Sequence, residues 1–339
     1  MVRYRTGCPA SGSGSASPVA DACPRYGRVR NRPDTDMTMD KHQAVERALR
    51  ASVGVQWNSE VTWTEADAML YALSIGAGSF DNMLQYTTEN SSCGPLLVIP
   101  TFVSVLVSDR LTSLRDCVDL ATVVHVQESV SVARVVPPAG VARVTGSVTA
   151  VDRRSSGWAV TVVTALDMSG AQGERLATVS SVMYLPHGDR PAADRKPESV
   201  PTKAELTLEP PQWIHVDKFA TRADQALLYR LNGDRNPLHS DPVAARAAGF
   251  DGPILHGLCT LGIACVVLMN SWGNGNPAVV QKISARFTRP VVPGDALTVG
   301  SNDVDNTSLT FGVYGHENHA VLKHGSATFA RGGSIDVQS

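Results

Sequence analysis

Gln225-Ala-Leu-Leu-Tyr-Arg-Leu-Asn-Gly-Asp-Arg-Asn236 lies without gaps over an earlier stretch, Asp67-Ala-Met-Leu-Tyr-Ala-Leu-Ser-Ile-Gly-Ala-Gly78. Tyr229 meets Tyr71, and Leu231 meets Leu73. Thr221 and Asp224 open the later stretch, Thr64 and Asp67 the earlier one. Such residues cap a short helix by accepting orphan backbone N–H bonds. Two more features recur in the same order. The apolar run Leu96-Leu-Val-Ile-Pro-Thr-Phe-Val-Ser-Val-Leu106 resembles Pro253-Ile-Leu-His-Gly-Leu-Cys-Thr-Leu-Gly-Ile263, and Val135-Val-Pro137 answers Val291-Val-Pro293. Three matches in one order predict two copies of one fold. The copies span about 41–188 and 205–334, with a polar, proline-rich linker over 189–204.

Within the second copy the pattern is helix first and strands after. Ala223 to Leu231 reads as a short helix. Asp241-Pro242 reads as an N-cap followed by proline at the first helical position, with Gly249 as the stop. Gly257 opens a longer helix whose Leu258, Leu261, Cys265 and Leu268 fall at helical spacing on one buried face. Strands follow over 278–287, 296–302, 308–314 and 320–330, separated by turn residues. The first copy repeats the strand-rich ending over 122–136, 141–151, 158–166 and 177–185, in segments rich in Val and Thr. One long helix wrapped by a curved antiparallel sheet, twice over, is an α+β layout.

Composition narrows the function. The 339 residues are 43% apolar, enough for a sizeable core, and the formal charge of −2 points to neither nucleic acid nor an anionic membrane. No apolar run reaches the roughly 18 residues of a membrane-span candidate. The six cysteines, Cys8, Cys23, Cys93, Cys117, Cys259 and Cys265, form no Cys-x-x-Cys pair. A reducing, cytoplasmic setting is expected. Residues 1–40, rich in Gly, Ser, Pro and Arg up to Asp36, read as a disordered tail or as a start placed early, with Met37 or Met39 the true one.

The chemistry is expected in Gly233-Asp-Arg-Asn-Pro-Leu-His-Ser-Asp-Pro242. Gly233 and Pro237 bracket a loop between helices, on which Asp234, Asn236 and His239 can aim a carboxylate, an amide and an imidazole at one point. An Asp/His pair sharing a water can withdraw one proton and deliver another, which is what hydration of a carbon–carbon double bond requires. The reaction also needs charge stabilised on a carbonyl oxygen, and a backbone N–H at a helix start, here Gly257, can supply that. Each residue also has a plainer reading. Asp234 can cap a turn, Asn236-Pro237 is an ordinary turn dipeptide, and His256 can simply hold the loop.

The string from Tyr229 to Pro242, with Ala247-Ala-Gly-Phe-Asp-Gly-Pro-Ile-Leu-His-Gly-Leu-Cys259, resembles the type 2, (R)-specific enoyl-CoA hydratases among the MaoC-like hot dog-fold proteins. The stretch from Trp63 to Gly78 resembles the opening of the noncatalytic repeat in the two-repeat, eukaryote-style members. The resemblance implies a double hot dog fold and reversible hydration of trans-2-enoyl-CoA to (3R)-3-hydroxyacyl-CoA, with no metal or redox cofactor. It implies that Asp234, Asn236 and His239 bind and activate water, and that Gly257 holds the thioester carbonyl. Which of Asp234 and His239 is the base stays open, since coupled groups share their titration. Phe287 is expected beside the thioester, His125, Val126 and Arg154 near the CoA portion, and Arg235, Pro237 and Leu238 along the substrate. Val126 departs from the glycine usual at its position, and a solvated Arg154 is the plainer reading of that residue. In the first copy Gly76 stands for Asp234, Gly78 for Asn236, and Pro100 or Thr101 for His256-Gly257. That copy is therefore expected to lack the chemistry and to shape a tunnel for the acyl group. An acyl-CoA substrate, a pseudo-dimer within the chain and pairing of two chains complete the expectation. Three alternatives remain: a (3R)-hydroxyacyl-ACP dehydratase, a noncatalytic acyl-thioester-binding subunit, and a steroid- or branched-acyl-specific hydratase that differs only in pocket shape.

Overall fold

The computed structural model describes residues 2–6, 35–107, 123–170, 173–187, 212–273 and 280–330. The expected linker at 189–204 lies outside them, as do Cys8, Cys23 and Cys117. The first half contains β1 (Arg3–Thr6), α1 (Thr35–Ala51), β2 (Gln56–Trp63), α2 (Glu65–Ser74), α3 (Val103–Leu106), β3 (Val124–Val132), β4 (Gly140–Arg154), β5 (Gly157–Met168) and β6 (Arg175–Pro186). The second contains β7 (His215–Ala220), α4 (Gln225–Tyr229), α5 (Pro242–Ala247), α6 (Gly257–Trp272), β8 (Val280–Phe287), β9 (Ala296–Asp305), β10 (Ser308–Tyr314) and β11 (Ala320–Phe329).

All the strands join one antiparallel sheet in the order β1-β2-β4-β5-β6-β3-β8-β11-β10-β9-β7. Leaving β1 aside, the two halves run β2-β4-β5-β6-β3 and, mirrored, β8-β11-β10-β9-β7. Strand pattern follows from alternation. In β5, Trp158, Val160, Val162, Thr164 and Leu166 are buried while the residues between them are less so. The halves meet where β3 pairs β8, with Glu128 opposite Ala285 and Ser129 opposite Ser284. Equivalent residues also face each other across the seam: the Tyr71 and Tyr229 rings lie 6.1 Å apart, and Asn232 Nδ2 donates to Ser74 Oγ at 2.8 Å. The repeat read from sequence is thus a pseudo-two-fold axis in space.

Helix α6 is buried on all sides from Cys259 to Met269, beyond the single face that its spacing predicts. A helix apolar all round belongs inside a core. Here strands β7 and β8 cover one side, and the Pro100–Phe102 turn and the end of α2 reach it from the first half. A Cβ on Gly262 would come within 2.7 Å of Ile75 Cγ2, so this glycine is what lets α2 approach. The equivalent stretch of the first half forms a 3-10 turn at Pro100–Phe102 running into α3, and residues 108–122 lie outside the described part.

The caps differ between halves. Thr64 and Asp67 form the expected capping box on α2. Thr221 and Asp224 do not cap α4: the Thr221 hydroxyl donates to Asp295 O at 2.7 Å, and Asp224 pairs with Arg222. Gln225 takes the role instead, its Oε1 accepting from Arg222 N at 3.0 Å. One element lies in residues 1–40, read from the sequence as a disordered tail or an early start, and another begins there. Helix α1 begins at Thr35 and sets Leu49 on a second apolar cluster with Val148, Trp158, Val160, Val162, Met183 and Leu185. Strand β1 pairs with the open edge of β2, Arg3 opposite Thr62. A strand of 4 residues is defined by the edge it meets and has no pattern of its own to read.

Candidate active site

The expected loop is built by its own side chains. Gly233 holds φ of 130°, a conformation that a side chain disfavours, and ends the turn after α4. Asp234 Oδ1 accepts from Asn236 N at 3.2 Å, and Asn236 Oδ1 caps the 3-10 turn Pro237–His239 by accepting from Leu238 N at 3.0 Å. The plain turn-forming role of both residues is therefore real. It coexists with exposure of their remaining acceptor atoms, since Asp234 and Asn236 are both solvent-accessible.

His239 is oriented by one bond. Its Nδ1 lies 2.8 Å from Ile254 O. A carbonyl only accepts, so the proton sits on Nδ1 and Nε2 carries a free lone pair. Burial lowers the His239 pKa, opposed by the bond to Ile254 and by the Asp234 charge. The ring stands as a neutral base at neutral pH. His256 stacks on it, centroids 3.7 Å apart and planes 26° from parallel. His256 is only 2% exposed, and burial together with His239 lowers its pKa to about 3. Its Nε2 lies 3.4 Å from Asp234 O, and among the described residues its Nδ1 has no partner. The Tyr229 ring packs against it, centroids 4.8 Å apart.

His256 is also the N-cap residue of α6, with extended backbone, and Gly257 is the first residue of the helix. The N–H groups of a first helical turn lack intrahelical partners and carry the positive end of the helix dipole. Gly257 is walled by Phe287, for a Cβ there would meet Phe287 Cδ1 at 3.0 Å. Donor atoms of Asp234, His239 and His256 all lie within 4.8 Å of one another, the one such cluster among the described residues. The two rings lie nearly face to face, so their in-plane lone pairs do not converge as metal ligation requires. The arrangement suits proton transfer.

The structure brings together Asp234, Asn236, His239, Gly257 and Phe287, and sets His125 of the first half 4.9 Å from the Phe287 ring. Val126 is the extra residue of a β-bulge between His125 and Gln127. Arg235 and Pro237 are exposed on the same loop, and Leu238 is half-buried there. Arg154 is exposed at the end of β4, three strands from β3, about 14 Å by ordinary strand spacing. Sequence reasoning gave His256 no chemical part and did not single out Glu128, a charged residue inside the Val/Ser-rich strand β3 that the structure buries completely. That charge in a strand otherwise fit for burial was the available signal.

Residues 199–319 match the family described as MaoC like domain, and residues 61–186 match the MFE-2 hydratase 2 N-terminal domain. Over 287 residues the chain is 34% identical to the 3-hydroxyacyl-thioester dehydratase Y of Mycobacterium tuberculosis, covering 80% of this chain and 94% of that protein. The chain belongs to the MaoC-like hydratase 2 family. Another relative of this MaoC-like protein is the peroxisomal enoyl-CoA hydratase 2 of Arabidopsis thaliana, 32% identical over 250 residues, covering 70% of this chain and 80% of that one. The fold is shared with the crystal structure of a MaoC-like dehydratase from Phytophthora capsici, at a TM-score of 0.68 and 23% identity over 82% of this chain and 95% of that one. The double hot dog architecture of the family is the one described above. Among the described residues, no helix is long and apolar enough to cross a membrane.

Proposed function

We propose that this chain hydrates trans-2-enoyl-CoA thioesters to (3R)-3-hydroxyacyl-CoA, reversibly, in fatty-acyl or related acyl-CoA metabolism. The observation that carries the reading is the fixed tautomer of His239, whose lone pair is free beside the Asp234 carboxylate at the start of α6. The thioester carbonyl accepts from Gly257 N–H. Asp234 and Asn236 orient a water over C3. His239 Nε2 takes one proton from that water as its oxygen bonds to C3, and the π electrons move toward the carbonyl. The resulting enolate oxygen is stabilised by the helix-terminal N–H. A proton then returns to C2, so that OH and H have added across the double bond. The Asp234 charge favours the imidazolium that forms in between. Run backwards, the same steps dehydrate a 3-hydroxyacyl thioester, the reaction named for the mycobacterial relative.

The test is incubation of the purified chain with crotonyl-CoA, following loss of the conjugated-thioester absorbance and resolving the product enantiomers. The expected product is (3R)-3-hydroxybutyryl-CoA. Binding without loss of absorbance would support the noncatalytic thioester-binding subunit instead, and an S product would overturn the stereochemical assignment. Pairing of two chains and a cytoplasmic setting belong to the same proposal, checked by sedimentation and by cell fractionation.

A further inference from the structure

We propose that the first half supplies a positioning pair for the reaction: Glu128 fixes His125, and His125 braces the Phe287 ring that walls the carbonyl-binding amide of Gly257. The inference rests on the function proposed above.

Glu128 lies on β3 at the seam between the halves, opposite Ala285 of β8, and is 0% exposed. A buried carboxylate persists only when hydrogen bonds replace its lost water. Ser104 Oγ donates to Glu128 Oε1 at 2.8 Å, and Ser181 Oγ to Oε2 at 2.5 Å. His125 Nε2 lies 3.1 Å from the same Oε2 and 3.1 Å from Gln127 O, shared between the two acceptors. These partners come from α3, β6 and β3, so the carboxylate is held from three directions within the first half.

The pairing of His125 with Glu128 is not what a regular strand would produce. Side chains alternate between faces, so residues three apart point to opposite sides of a sheet. Against β6 the register runs Val124 to Tyr184, His125 to Met183, then Gln127 to Val182, leaving Val126 without a place. One extra residue shifts the alternation by one and brings His125 round to the face of Glu128. Bulges next to active sites re-aim side chains in this way. Once turned, the His125 ring meets Phe287 edge-on, centroids 4.9 Å apart and planes at 62°. Phe287 in turn reaches to 3.0 Å from where a Gly257 Cβ would sit. A contiguous chain of contacts therefore runs from a buried carboxyl group in the first half to the proposed carbonyl-binding amide of the second.

A brace of this kind acts on the geometry of the bound carbonyl, which is felt in the chemical step more than in binding. The experiment is a double-mutant cycle on crotonyl-CoA hydration with His125→Ala, Glu128→Gln and the two combined, each with its melting temperature. His125→Ala is expected to lower kcat by about tenfold or more, the scale of a small misplacement at a reacting centre, while KM moves less than kcat. Glu128→Gln is expected to lower kcat similarly, and the double variant to lose no more than the worse single one, because the two act as a unit. A role limited to fold stability would shift melting without this split between kcat and KM. If Glu128→Gln fails to fold, His125→Ala still decides, since the His125 side chain is 20% exposed and packs at the margin of the core. An active parent matched by His125→Ala overturns this inference alone, as do losses that multiply in the double variant. An inactive parent overturns the proposed function, and the inference with it.

Discussion

Tyr71 and Tyr229 occupy equivalent places, yet their neighbours have diverged. In the first half the Tyr71 hydroxyl lies 2.9 Å from Thr101 Oγ1, both groups buried, and the pair closes on itself. In the second half Tyr229 lies against His256, whose Nδ1 is buried with no partner among the described residues. Pro100 or Thr101 stands where the second half has His256-Gly257, and Gly76 where it has Asp234. At this position the first half has paired its polar groups, while the second keeps the buried His256 Nδ1 without a partner among the described residues. Buried polar groups are normally paired, so an unpaired one next to a loop of acid and base residues marks where stability has given way to chemistry.

The comparison breaks most directly at the loop itself. Asp234→Asn or His239→Ala is expected to lower crotonyl-CoA turnover by at least about 10²-fold, the scale of general acid–base catalysis. Circular dichroism melts should stay close to the parent for Asp234→Asn, because asparagine keeps the acceptor that bonds Asn236 N. Near-normal turnover in either variant would return Asp234 and His239 to the turn-forming role that they also play.

A second test uses the stacked imidazoles. The His256 pKa falls from an ordinary 6.5 to about 3, first through burial and then through His239. Unfolded chains protonate this residue below about pH 6.5, whereas the folded protein resists until near pH 3. In that window the unfolded state binds more protons, so stability falls as pH falls, by about 1.4 kcal/mol per pH unit for one such group. The His239 shift runs in the same direction. Urea unfolding of the parent and of His256→Gln across this range should give a stability difference that shrinks as pH falls. A difference independent of pH would mean that His256 is not held neutral by its surroundings.

Gly76→Asp probes the vacated position. Gly76 has φ of +83°, and a Cβ there would lie 2.1 Å from Phe219 Cζ. Phe219 comes from β7 of the second half and stacks with Phe80, so the place of the missing carboxylate lies under an aromatic ring. The substitution is expected to cost about 1–3 kcal/mol through backbone strain, read from denaturant unfolding, with further loss from overpacking. It should add no second site. Doubled turnover per folded chain would end the division of labour between the halves.

These contrasts also explain what the sequence discloses. The repeat, the loop, the N-cap at Asp241 and the start of α6 at Gly257 are all visible, because each depends on local spacing or a local turn. Strand β10 matches its expected span, while β4 and β9 extend beyond theirs into their turns. Strands β1, β2 and β7, at the two ends of the sheet, carry no expectation, since such strands are set by what they pair with. His256 looks like a loop residue until the fold buries it against His239 and Tyr229. The pairing of Glu128 with His125 is hidden for a sharper reason. Their spacing places them on opposite faces of any regular strand, and only the bulge at Val126 unites them.

The smallest effect is expected where the first half has sealed itself. Tyr71→Phe keeps the ring that packs between Phe102 and Tyr229 and removes only the hydroxyl bonded to Thr101. Deleting one partner of a buried hydrogen bond costs about 1 kcal/mol in stability. The hydroxyl also lies beside Gly262 of α6, where a Cβ would come within 2.9 Å of it, so its removal creates space without strain. Turnover per folded chain should be unchanged, because the Tyr71–Thr101 pair sits at the position equivalent to the active one without its acid or base. A large loss of kcat at unchanged stability would show that the first half feeds the reaction through α2 as well as through β3, and that its polar pairs are less closed than their geometry implies.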